Sequence, residues 1–93
     1  MNDGKLREEM ERGSRAAALL RDPLLVETFD RLRSEYIYAW RSTAPDAAAE
    51  RENIFLQLRA LESVKQQLES VATTGDLARR ELIAATKDKR SRE

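Results

Sequence analysis

Apolar residues recur at three- and four-residue intervals along most of this chain, the period of an α-helix that buries one face. Leu6, Met10, Gly13, Ala17 and Leu20 set one such stripe between Lys5 and Arg21. Leu25, Phe29, Leu32, Tyr36 and Ala39/Trp40, flanked by Val26 and Ile37, set a second between Pro23 and Arg41; Tyr38 falls off it. Ile54, Leu58, Leu61, Val64/Lys65, Leu68 and Val71/Ala72 set a third between Asp46 and Thr73. Phe55 widens that stripe. Leu56, Ala60 and Val64 form a further apolar edge, which one neighbouring helix would leave uncovered. Leu77, Ala78, Leu82, Ile83 and Ala85 give a short amphipathic segment from Asp76 to Thr86. Lys87 to Glu93 has no apolar residue and is expected to be a disordered, charged tail.

Three breaks separate the segments. Asp22-Pro23 offers an N-cap followed by a proline in the first helical turn. Thr43 and Asp46 have capping-box spacing around Pro45. In Thr73-Thr74-Gly75-Asp76, Gly75 suits the left-handed position that closes a helix, and Asp76 suits the cap of the next. The expected fold is therefore all-α: an antiparallel helical hairpin of 23–41 and 46–73, with a shorter N-terminal helix and a short C-terminal helix. Residues 1–86 form a single helical domain and 87–93 the tail.

Composition adds a constraint on how this fold is held together. Ala, Glu, Lys, Leu and Arg make up 53 of the 93 residues, a helix-rich bias. Leu, Ile, Val and Phe number only 20. A monomer of this length buries only about 60% of its unfolded surface, so a homo-oligomer is expected to supply the missing core. The 17 basic and 17 acidic residues cancel, which removes self-repulsion as a reason to unfold. The surface expected between subunits is Gly13, Ala16, Ala17, Leu20, Tyr38, Leu56 and Ala60. In it the small residues Gly13 and Ala16–Ala18 either allow close helix approach or simply reflect helix propensity.

The available chemistry is narrow. With no His and no Cys, there is no Ser-His-Asp or Cys-His catalytic centre, no His- or Cys-based metal site and no disulfide. Gly4, Gly13 and Gly75 are isolated and make no phosphate-binding loop. Glu8, Glu9 and Glu11 read as a solvated helix face. The chain is expected to be non-enzymatic, without catalytic residues, cofactor or metal. It has no leader-like apolar stretch and no membrane span, so a cytoplasmic location is expected (the host cytoplasm, if phage-encoded).

Charge is mildly segregated. From Asp76 onward Arg79, Arg80, Lys87, Lys89, Arg90 and Arg92 face four acids, a net of +2, and these six are the expected contacts to nucleic-acid phosphates or an acidic partner. A helix-turn-helix over Val71–Ala84 fails, because Glu81 occupies a position that must be apolar. Phe29, Tyr36, Tyr38 and Trp40, at near-helical spacing, suit core packing first and a ligand slot second, with Tyr38 the outlier available for an outside contact. Arg outnumbers Lys 13 to 4, which suits bidentate interface contacts and equally a GC-rich genome.

The order Arg12-Gly13-Ser14-Arg15-Ala16, then Leu19-Leu20-Arg21-Asp22-Pro23-Leu24-Leu25, then Phe29, Glu35, Ala39-Trp40 and Thr43 resembles a group of small helical proteins from tailed-phage, prophage and gene-transfer-agent gene clusters. The likeness covers roughly Arg12 to Leu82. It implies an assembly or DNA-packaging factor similar to a small terminase subunit, whose helical hairpin builds rings that regulate the packaging motor. The N-terminal helix-turn-helix that many such subunits carry has no room before Asp22. The alternatives are a capsid scaffolding or head-completion protein, and a small phage inhibitor that sequesters a host protein or a signalling nucleotide. The expected partners are further copies of the chain, non-specifically bound DNA, and a packaging motor or capsid protein.

Overall fold

The structure, a computed structural model, describes residues 2–92, with side chains as far as residue 90. Among the described residues there are three helices and no strand: α1 (Asp3–Arg21), α2 (Pro23–Arg41) and α3 (Ala48–Arg92). The chain forms two compact units. Residues 21–66 make one, built on α2 and the first part of α3. Residues 1–20 with 67–93 make the other, built on α1 and the rest of α3.

The helix starts are set locally. Asn2 Oδ1 accepts a hydrogen bond from the Lys5 N–H (3.1 Å), which starts α1 two residues ahead of the expected Lys5. Asp22 Oδ1 accepts from the Leu25 N–H (3.0 Å), with Pro23 next to it, as its sequence position implied. The Thr43–Asp46 capping box does not form. Instead the Thr43 hydroxyl donates to the Trp40 carbonyl (2.6 Å), while the Ala47 N–H bonds Ala44 O (3.0 Å) and the Ala48 N–H bonds Asp46 O (2.9 Å). These turns delay α3 to Ala48, two residues later than expected.

In the unit of residues 21–66, α2 and α3 pair as an antiparallel hairpin. Trp40 meets Arg51 near the turn, and further out Arg33 pairs with Glu62 (3.4 Å). The stripes read from the sequence lie inward: Leu25, Phe29, Leu32 and Tyr36 on α2, and Ile54, Leu58 and Leu61 on α3, are half-buried.

The other unit corrects two expectations. Thr73-Thr74-Gly75-Asp76 is no break, because α3 runs through it as one 45-residue helix, and no glycine has a positive φ. The expected fourth helix is the end of α3. Gly75 does not cap anything; it lies against Gly13 of α1. A Cβ built on Gly75 would stand 2.6 Å from Gly13 Cα and 2.9 Å from the Glu9 carbonyl oxygen. One built on Gly13 would stand 2.5 Å from Gly75 Cα and 3.1 Å from Val71 O. Two backbones touch here, and only glycine permits it. One turn along each helix, Ala16 and Ala78 are the fully buried hydrophobic residues, each 2% exposed. Of the small residues expected between subunits, Gly13 thus makes its close contact within the chain, against α3, and Ala16 is buried in one copy.

The second correction concerns 87–93. α3 continues through Arg92, so residues 87–92 are helical and not a disordered tail; Glu93 lies outside the described residues. Four weak helix formers sit mid-helix at 73–76, where summed propensity disfavours a helix by about 3 kcal/mol relative to alanine. The α1 crossing and two arginines that return to Asp76 hold the helix together there.

Candidate interaction surfaces

At the turn end of the α2–α3 hairpin, the Arg51 guanidinium lies 3.9 Å from the Trp40 ring centroid and donates to Thr43 Oγ1 (3.3 Å). Among the described residues it has no carboxylate partner. Stacking on the indole is therefore what orients it. An apolar hollow of about 180 Å³ opens between Tyr36, Ile37, Trp40, Ile54, Phe55 and Leu58. A wider recess of about 420 Å³, lined by Trp40, Pro45, Ala48, Arg51, Glu52 and Phe55, adjoins it. Sequence reasoning named Tyr36 and Trp40 as aromatics of a ligand slot but missed the rest of this corner, because its parts come from opposite sides of the turn. Trp40 is the sole tryptophan, so its emission reports the site alone. Arg51→Ala is expected to shift that emission to the red and to destabilise the hairpin by at most about 1 kcal/mol, as for an exposed cation–π pair. An unchanged spectrum would mean that Arg51 does not cover the ring.

A second surface is apolar. Among the described residues ten large hydrophobic side chains are 41% or more exposed, including Tyr38 (73%), Leu56 (54%) and Val64 (54%). Tyr38 projects away from the α2 stripe, as its spacing implied. The Leu56–Ala60–Val64 edge is exposed throughout. Ala17 and Leu20 are half-buried on α1. Of the residues expected between subunits, Tyr38, Leu56 and Ala60 are thus open, whereas Gly13 lies against Gly75 of α3 and Ala16 is buried.

A third surface follows from the continuity of α3. At 100° per residue, Asp76, Arg79, Arg80, Ile83, Lys87 and Arg90 fall on one stripe. Glu81 and Asp88 fall on another side of the helix, and Lys89 on a third. A disordered tail would have no such order. The Arg92 side chain lies outside what is described. Arg79 bonds one carboxylate oxygen of Asp76 (2.8 Å) and Arg80 the other (2.9 Å). The Arg79 hydrogen bond, helped by the charges of Arg80 and Arg79 and opposed by slight desolvation, holds the Asp76 carboxyl below its ordinary value of 3.8.

A depressed carboxylate stabilises the fold above its unfolded pKa, and that contribution is lost as pH falls through the folded value. Asp76→Asn is therefore expected to melt below wild type at neutral pH. The gap should narrow as the pH drops below about 3.8. A gap that stays constant into acid would mean that the carboxylate charge plays no part.

Among the described residues no group of three or more His, Cys, Asp or Glu is placed to hold a metal, and no helix is long and apolar enough to cross a membrane. No protein-family model, curated protein or solved structure matches this chain.

Proposed function

We propose that this chain is a non-enzymatic assembly protein of phage type that self-associates through its open apolar faces and contacts a polyanion through the distal part of α3. DNA packaging in the manner of a small terminase subunit is its specific form.

One observation carries the self-association. Among the described residues ten large hydrophobic side chains are 41% or more exposed and no large side chain is fully buried, so the hydrophobic contribution that normally offsets chain entropy is incomplete in one copy. The basic stripe supports the second half of the reading: four cations and Asp76 lie along one helix face.

Light scattering on a sizing column, across a range of salt, tests the assembly. A salt-resistant multimer is expected, because the open faces are apolar, and a large closed assembly would favour the packaging form. A monomer at high micromolar concentration would overturn the reading. Retention of a capsid protein without DNA would replace packaging by scaffolding.

A further inference from the structure

We propose that the corner beside Trp40, at the turn end of the α2–α3 hairpin, binds a small apolar carboxylate: an aromatic or branched apolar body joined to a single carboxylate group. The inference goes beyond the assembly reading and does not depend on it, since every residue it uses lies in the unit of residues 21–66.

Three features of the corner select that chemistry. The first is the hollow of about 180 Å³, whose six lining residues are Tyr36, Ile37, Trp40, Ile54, Phe55 and Leu58. An apolar cavity of about 150 Å³ accepts a benzene ring, so a phenyl-sized body fits this one. Trp40 and Phe55, 41% and 46% exposed, line both the hollow and the recess that adjoins it. A body seated there takes apolar area of both rings out of water, and that burial drives its binding.

The second feature is an oriented cation. The Arg51 guanidinium is half-buried at the recess and is held by the Trp40 ring and by Thr43 Oγ1. One of its five donors goes to Thr43, and among the described residues none meets a carboxylate. A guanidinium fork matches a carboxylate in two parallel hydrogen bonds. One that is already oriented loses little freedom on pairing.

The third feature is Glu52, which lines the same recess. Adjacent residues on a helix do not face each other, so Glu52 leaves Arg51 unneutralised. Its charge repels a dianion about twice as strongly as a monoanion. A carboxylate is thereby favoured over a phosphate monoester, the other group that a guanidinium fork fits. Size favours a free molecule over a protein surface: the recess alone, about 420 Å³, falls within the range of small-molecule sites.

Trp40 is the sole tryptophan, so its indole N–H gives one isolated resonance. Titrating the full chain with 3-phenylpropionate at constant ionic strength is expected to move that resonance along a saturable curve, with a Kd on the order of 1 mM or tighter. The neutral isostere 3-phenylpropanamide, which lacks the charge, and propionate, which lacks the ring, should each bind about tenfold more weakly. Arg51→Gln should abolish the preference for the carboxylate over the amide, with circular dichroism confirming that the helices persist. Glu52→Gln should tighten 3-phenylpropionate by about twofold and phenyl phosphate by more. A response that does not saturate, or that the amide reproduces in full, would overturn the site. Tighter binding of phenyl phosphate than of 3-phenylpropionate to the wild type would overturn the carboxylate assignment. Tighter binding of a short peptide ending in phenylalanine would overturn the free molecule in favour of a chain terminus.

Discussion

Gly75→Ala is expected to lower the melting temperature by about 10 °C, although alanine is the better helix former. The propensity gain is about 1 kcal/mol. Against it stands a Cβ 2.6 Å from Gly13 Cα and 2.9 Å from the Glu9 carbonyl oxygen, both backbone atoms that no rotamer change can move. The helices must separate, and separation loosens Ala16 and Ala78, the best-buried side chains described. Overpacking of this kind destabilises by about 1–3 kcal/mol or more. A net loss near 2 kcal/mol shifts the midpoint of a domain this small by about 10 °C. Gly13→Ala should behave alike, with its Cβ 2.5 Å from Gly75 Cα. The double variant should lose less than the sum, because the first methyl has already parted the helices. Gly4→Ala is the control: its Cβ meets only Asn2 Oδ1, at 3.4 Å, so propensity should leave it level or slightly stabilised. Thermal unfolding followed by circular dichroism decides the matter. A rise in midpoint for Gly75→Ala matching that of Gly4→Ala would mean that the crossing is not a backbone contact.

The same glycine shows where sequence reasoning reached and where it stopped. The helical stripes were legible because burial repeats with the helix period, and Leu25, Phe29, Ile54 and Leu58 all lie inward as their spacing required. Asp22 was legible because an N-cap acts over three residues. Gly75 was misread because local rules see a glycine before an aspartate as a stop, whereas its role is set by Gly13, 62 positions earlier. A signal did exist. Gly13-Ser14-Arg15-Ala16 and Gly75-Asp76-Leu77-Ala78 repeat one glycine–alanine spacing, and such a pair of notches allows two helices to touch. Asp76 was misread for the same reason, because its carboxylate is held by Arg79 and Arg80 inside a helix and does not cap one. The Trp40–Thr43–Arg51 corner depended on how far α3 start was delayed, which no spacing rule gives. Of the candidate surfaces, the open Leu56–Ala60 edge was visible as a second stripe. The basic stripe was not, since it exists only if α3 continues past Thr86.

That continuity turns the proposed polyanion contact into a quantitative expectation. Asp76, Arg79, Arg80, Lys87 and Arg90 span about 21 Å of helix, at 1.5 Å per residue, with a net charge of +3 on one face. Three neutralised phosphates would give a slope of about −2.7 in log affinity against log salt for one chain on duplex DNA, steeper for an assembly that sets several stripes on one duplex. Lys87→Glu with Arg90→Glu moves the stripe from +3 to −1. Retention of duplex DNA at low salt should then fall at least a hundredfold, and the salt slope should flatten toward zero. Asp76→Asn moves it the other way, to +4, and frees Arg79 and Arg80 from their shared carboxylate, so binding should tighten and the slope should steepen by about one phosphate. Lys89→Glu and Glu81→Lys lie off the stripe and should matter less than the on-stripe changes, which separates an ordered helical face from a tail that acts only through its total charge. Equal losses for Lys89→Glu and Lys87→Glu would replace the stripe with a diffuse basic terminus. No retention of DNA by the intact protein, at any salt, would remove nucleic acid as the partner and leave an acidic protein surface as the polyanion to seek.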